Sequence, residues 1–471
     1  MTAPEHETAK ATAEPVAEEF VYGIDPDLEH NIVEALEEGD IARVSSLLEL
    51  LHTSDTADLL ERLRPDDRRS LVEILREDFD PDILPELDDE VLDDVVEELG
   101  VEETAAAVAE LETDDAVQII EDLEEDDQQQ VLDAIPVGDR ALIEEALAYP
   151  EDSAGRLMQR EVVTVPAFWS VGEAIDFLRE TAESDGDSLP EVFYDIYVVD
   201  PAHRPVGIVG LSRLMRSRRP VPVSDIMEPD MQVVSAMVDQ EEIAFLFRQR
   251  DLVSAPVVDD GGRLVGSITI DDVVDVIHEE HEEDIMRMGG VSEDDLYDAA
   301  IDTTRSRFAW LLVNLGTAIL ASVVIGFFQG TIEQMVALAV LMPIVASMGG
   351  NAGTQTLTVA VRALAMKELT ATNAMRVVGK ELLVGAINGV LFAIITGFVA
   401  WVWFGDPDIG IVIALAMIVN MIVAGLAGSV TPILLERLDI DPAVASSVVL
   451  TTITDVAGFF VFLGLAALLL L

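Results

Sequence analysis

After Arg307 the sequence is apolar in five long runs, at about 309–328, 332–366, 382–404, 409–434 and 442–471. Each is long enough to cross a hydrocarbon layer of about 30 Å. A backbone in lipid has to satisfy its polar groups internally, so the runs predict five transmembrane helices. The second run contains "SMGGNAGTQT", Ser347 to Thr356, which reads as irregular and polar. At that depth such sequence is tolerated only inside protein or beside a water-filled path.

Charge is divided very unevenly along the chain. Residues 1–304 carry 81 acids and 20 bases, whereas residues 305–471 carry 9 acids and 7 bases. A strongly acidic soluble half therefore precedes a nearly neutral membrane half. The bases after 304 cluster before the first span and in the second and fourth turns, while "QGT" and "GDPD" carry none. By the positive-inside rule the acidic half is cytoplasmic, the C-terminus lies outside, and the protein belongs in the cell membrane. The opening "MTAPEHETAK" has no apolar core, which argues against a cleavable signal. With no cysteine, neither disulfides nor thiolate metal sites are available. Lysine occurs three times against 24 arginines. Such a carboxylate excess fits a halophilic surface kept soluble where salt screens charge. Single acidic residues are therefore weak evidence of a metal site. The absence of a basic footprint excludes nucleic acid as a partner.

Polar side chains within the spans are few. Asn314 and Asn388 read as hydrogen bonders between helices. Asp455, in "LTTITDVAGFF", lies fourteen residues after Asp441, close to mid-bilayer. A carboxylate there costs several kcal/mol unless it faces a polar path or a partner, so it is a functional candidate. An intramembrane aspartyl protease would need a second acid at similar depth, and the remaining acids lie near span ends. The residues therefore do not read as an enzyme.

The soluble half divides further. Residues 1–23 read as a disordered tail, and 24–150 as an acidic helical scaffold with a repeated phrase. "DTADLLERLRPDDRRSLVEIL" from Asp55 matches "DDAVQIIEDLEEDDQQQVLDAI" from Asp114, and a shorter echo, "LPELDDEVLDDVVEEL", lies between them. The repeat predicts a superhelical stack of helix pairs. Residues 153–281 are a duplicated α/β unit, about 153–216 and 222–281, in which each copy has a strand ending in Val-Asp, a turn, then "VG", a strand and a helix. Residues 282–304 form a polar connecting helix, and 305–471 the five-helix membrane domain.

The duplicated unit resembles a pair of CBS domains. In such pairs a threonine and a following aspartate hold a nucleotide ribose. Thr269 and Asp272 match in the second copy, but Gly210 and Arg213 stand there in the first, which argues against nucleotide binding. The whole arrangement resembles the MgtE family of magnesium channels and transporters. The most specific matches are "PIVASMGGNAGTQT" and "DPAVASSVVLTTITDVAG". The resemblance implies a homodimer in the lipid bilayer whose pore, lined by the second and fifth helices, passes Mg2+. It places Asp455 as the selectivity acid, with Gly350, Asn351, Gly353 and Ser447 along the same path. Glycines would bring backbone carbonyls to the path, and Asn351 and Gln355 would add amide oxygens for the waters of a hydrated ion. It also implies gating by cytoplasmic magnesium, held by Asp239, Glu241, Asp251, Asp272, Asp275, Glu280, Glu283, Asp284 and Asp441. The alternative is a proton- or sodium-coupled transporter of Mg2+, Mn2+ or Co2+.

Overall fold

A computed structural model describes residues 23–184, 189–190, 192–291, 300–370, 372–438 and 440–470. Almost all of the expected N-terminal tail, and residues 292–299 of the expected connecting helix, lie outside them. The chain forms two compact units. One comprises residues 1–231, 235–237 and 256–267; the other comprises 232–234, 238–255 and 268–471.

The first unit opens with nine α-helices among the described residues, α1 (Pro26–Glu38) through α9 (Val137–Ala146). The repeated phrase becomes two helix pairs, α3 (Thr53–Arg62) with α4 (Pro65–Leu75), and α7 (Thr113–Asp122) with α8 (Glu125–Ala134). Equivalent apolar positions are buried in both pairs: Leu59, Leu60, Leu71 and Val72 in one, Ile119, Ile120, Val131 and Leu132 in the other. The echo between them is shorter because Pro81–Glu86 winds as a 3₁₀ turn before the helix Asp89–Leu99.

The α/β region has two three-stranded sheets. After α10 (Ala154–Leu157), β1 (Thr164–Pro166) pairs parallel with β2 (Asp195–Val199), which pairs antiparallel with β3 (Pro205–Gly210). Helices α11 (Val171–Ser184) and α12 (Leu211–Arg216) complete the copy, and Val165, Ile196, Val198 and Val209 form its core. The second sheet runs in the order β4 (Val234–Ser235), β5 (Ser254–Val258), β6 (Leu264–Thr269), with α13 (Gln240–Arg250) between β4 and β5.

From β6 the chain enters α14 (Ile270–Gly289), capped by Thr269 and ended by Gly290 at φ 71°. The boundary expected at 281/282 thus falls inside one continuous helix. A side chain at Gly290 would collide with the Trp310 ring. The membrane part is α15 (Ala300–Gly326), a short α16 (Gln329–Gln334), α17 (Ala337–Ala365), α18 (Ala374–Phe404), α19 (Pro407–Glu436) and α20 (Pro442–Leu469). Five of these are long and apolar enough to span a membrane. α19 is the central helix and packs on α17, α18 and α20. Its crossings rely on small residues, the usual solution where lipid gives helices no hydrophobic reason to associate. A Cβ on Gly385 of α18 would lie 2.6 Å from the Met421 carbonyl oxygen.

Candidate functional site

The stretch "SMGGNAGTQT" is not irregular. It is helical throughout, in the middle of α17. The expectation came from reading glycine as a helix breaker; in lipid an unwound backbone has no water to bond, and the helix persists. Its glycines serve two faces. Gly349 and Gly353 are buried. A Cβ on Gly353 would lie 2.8 Å from a Leu450 methyl of α20, and the Gly353 carbonyl oxygen lies 2.6 Å from the Cβ position of Gly428 on α19. Gly353, expected to line the path, therefore packs α17 against α19 and α20 within the chain. Gly350 has open space at its Cβ position, and Asn351, Thr354 and Gln355 are exposed on the same chain.

Asp455 lies on α20, the helix beside that stretch, and is half-buried. It is the fourteenth residue of α20, about 20 Å along the helix axis from Pro442. Ser447 is likewise half-buried, two turns nearer the helix start. Within Ser347–Thr356 the exposed residues, Ser347, Asn351, Thr354 and Gln355, are all polar, and α20 adds a carboxylate.

Of the two lone amides expected to bridge helices, Asn314 and Asn388 are both only half-buried. The bridging amide is Asn420 on α19. It is fully buried and donates from Nδ2 to the Val345 carbonyl of α17 at 2.7 Å. Glu381, expected near a span end, is the eighth residue of α18 and is buried, accepting from the Thr356 hydroxyl at 3.2 Å.

A second locus is a cavity of about 620 Å³ lined by α13, α14, the end of α17 and the turn before α20. It gathers five of the expected acids: Glu241, Glu280, Glu283, Asp284 and Asp441. Burial raises the Asp284 carboxyl above its ordinary range, and the nearby Asp441 charge raises it further. Glu241 is raised too, by burial first and by the Glu280 charge second. Asp441 caps α20, accepting from the Ala443 amide at 2.7 Å. Asp239 caps α13 and lies outside the lining, and Asp251 closes the far end of that helix in a left-handed conformation. Asp272 and Asp275 also lie outside the lining. Asp272 is engaged in a reciprocal cap with Thr269, whose hydroxyl donates to it at 2.7 Å. Burial pushes the Asp272 carboxyl up to about 6. The threonine–aspartate pair matched to ribose binding is thus already satisfied as a helix cap, and Arg213 in the first copy pairs with Glu228 at 2.7 Å.

The cavity also holds cations that sequence reading did not include. Arg287 pairs with Glu283 one turn before it on α14 and donates to Asp441 at 2.9 Å. Lys367, just past α17, pairs with Glu242 at 3.3 Å and sits 5.2 Å from the Phe245 ring centre. Arg248, Glu436 and His281 complete the ionisable lining. Among the described residues, no three acids or histidines are close enough to hold a bare metal ion. The cavity is a mixed-charge lining in which most of the groups able to ligate a cation are carboxylates.

A family model described as a divalent cation transporter, MgtE, matches residues 342–465. The MgtE intracellular N domain matches 51–152, and the CBS domain matches 154–219 and 223–279. The chain therefore belongs to the MgtE family, with an intracellular-type helical domain, a CBS pair and a helical membrane domain. It is 37% identical over 335 residues to the magnesium transporter MgtE of Thermus thermophilus, covering 70% of this chain and 73% of that protein. It is 30% identical over 325 residues to the magnesium transporter MgtE of Bacillus subtilis, covering 69% and 71%. Among solved structures it is similar to the cytosolic domain of the Mg2+ channel MgtE in complex with ATP, at 32% identity and TM-score 0.48, covering 53% of this chain and 99% of that one. The soluble part of a magnesium transporter matches at 27% identity and TM-score 0.47, covering 54% and 98%.

Proposed function

We propose that the protein conducts magnesium across the cell membrane as a homodimer and that cytoplasmic magnesium closes it. The observation that carries the conduction reading is the division of the α17 face. Gly349 and Gly353 turn into helix packing, while Asn351, Thr354 and Gln355 leave the core beside the helix that carries Asp455. A second chain meeting this face encloses amide oxygens, hydroxyls and two carboxylates around one path. Magnesium loses its waters reluctantly, so such a lining recognises the hydrated ion through its waters. Gly350, Asn351, Ser447 and Asp455 carry this role. Gly353 acts behind them, allowing α17 to sit close to α19 and α20.

The orientation follows from the helix ends. Arg305 and Arg307 open α15, Arg362 and Lys367 close α17, Arg376 and Lys380 open α18, and Arg437 follows α19. All seven fall on one side of the bundle, the cytoplasmic one, and the C-terminus lies outside.

Gating rests on the acidic cavity. Glu241, Glu280, Glu283, Asp284 and Asp441 would hold the regulatory ion; pairs of carboxylates suit an ion that keeps several waters. Repulsion between Asp284 and Asp441 opposes closure, and a bound divalent ion offsets it. Arg287 already pairs with both Glu283 and Asp441, so an ion there competes with a tethered guanidinium.

The deciding experiment is flux of magnesium into liposomes holding the purified protein. Flux that follows magnesium's own gradient supports a channel. Flux that vanishes when a proton or sodium gradient is collapsed, with the magnesium gradient intact, rejects it in favour of coupled transport.

A further inference from the structure

Asn420 presents a puzzle of cost. Its side chain is fully buried in the membrane domain, and only one end of the amide is used. Nδ2 donates to the Val345 carbonyl, but Oδ1 has no hydrogen-bond partner among the described residues. A buried acceptor left unpaired is destabilising, and an apolar side chain of the same volume would fill the slot without that cost. The slot is built for the amide nonetheless. A Cβ on Gly349 of α17 would collide with Nδ2, and a Cβ on Gly458 of α20 would lie 3.1 Å from both amide end atoms. Three helices thus meet at one side chain. On α17 the grip falls at Val345, two residues before the glycine-rich stretch; on α20 the amide faces Gly458, one turn beyond Asp455. Glycines weaken a helix and leave its local bend poorly specified, so α17 needs an external fix at this point.

We infer that Asn420 is a positioning residue for the conduction path. It pins α17 against α19 beside α20 and so sets the spacing between the Asn351 face and Asp455. It touches no ion and acts through the helices that do. The inference rests on the path proposed above, so the test reads spacing separately from transport. The chain has no cysteine, which allows a spin-label pair on Thr354→Cys of α17 and Thr451→Cys of α20, both at exposed positions. Full-length protein is placed in liposomes, diluted with unlabelled chains for the distance measurement.

Asn420→Leu is expected to fold with an unchanged or higher thermal midpoint, to broaden the label-to-label distance, and to lower both magnesium flux and the magnesium-to-calcium flux ratio. A fall of about threefold is the scale of one hydrogen bond between membrane helices. An unchanged distance and an unchanged ratio would overturn the inference and leave Asn420 as packing. Should Asn420→Leu fail to fold, a cycle decides. Gly349→Ala should lower the ratio, and adding Asn420→Ala should relieve that loss because the colliding amide is gone; additive losses would overturn the inference. If the wild type passes no magnesium, the function reading fails, and the distance measurement alone decides the role of Asn420.

Discussion

A carboxylate carried at mid-bilayer costs several kcal/mol unless it meets water or a partner, and Asp455 has that cost built into α20. Replacing it by asparagine keeps the shape and one acceptor oxygen but removes a charge from each chain. Hydrogen bonds to a charged group are worth about 1.5–3 kcal/mol, so Asp455→Asn should lower magnesium flux by about tenfold or more. Its thermal midpoint should hold or rise, because a costly charge has gone. Normal conduction by the variant would show that the acid lies off the path. Asp272 gives a second prediction at this scale, this time in pH. Its carboxyl is raised to about 6 in the folded protein, chiefly by burial. The folded state therefore binds a proton more tightly than the unfolded chain, whose carboxyl titrates near the ordinary value of about 3.9. Stability from this group is complete below that value and is lost as pH rises through about 6. Asp272→Asn, measured without divalent ions, should raise the thermal midpoint at pH 7.5 and leave it unchanged at pH 4. An equal effect at both pH values would point to the Thr269 cap rather than to charge.

Among the elements, α14 links distant parts of the sequence, because Arg287 on it meets Asp441 at the start of α20, 154 residues later. Removing the guanidinium frees two carboxylates at once. Arg287→Gln should therefore shift the magnesium concentration needed to stop flux: downward if the ion takes the vacated place, upward if the arginine itself helps hold the closed form. An unchanged threshold would separate this pair from gating. The same helix shows what could be read in advance. Its acids and its i, i+4 Glu283–Arg287 spacing are plain in the sequence, whereas the partner across 154 residues is visible only once the chain is folded. The N-terminal pairs were legible for the opposite reason: Leu59 and Leu60, like Ile119 and Ile120, mark a buried face by local period alone. In α17 local reading failed, since "GGNAG" looks like a breaker until lipid removes the alternatives. Amides show the limit most simply. Asn314, Asn388 and Asn420 are equally isolated in apolar sequence, and only the rotation of each helix decides which one meets a neighbour.

Over the whole molecule the dominant physical fact is charge. The formal net charge of −63 lies almost entirely before residue 305. Two accounts of it make different demands. A surface adapted to salt needs only screening, which any electrolyte supplies within a few ångström at high concentration. A sensor needs ions that bridge specific carboxylates, such as Asp284 and Asp441; the two raised acids of the cavity, Asp284 and Glu241, are raised first by burial and then by a neighbouring carboxylate. Limited proteolysis of the full-length protein distinguishes them. Millimolar magnesium should protect the segments near residues 150 and 285 from cleavage, and potassium chloride at the same ionic strength should protect them less. Asp284→Asn combined with Asp441→Asn should blunt the magnesium effect while leaving the salt effect in place, because screening depends on total charge and bridging on these two groups. Equal protection by both salts, or a full magnesium response in the double variant, would assign the acidity to solubility and move the gate elsewhere.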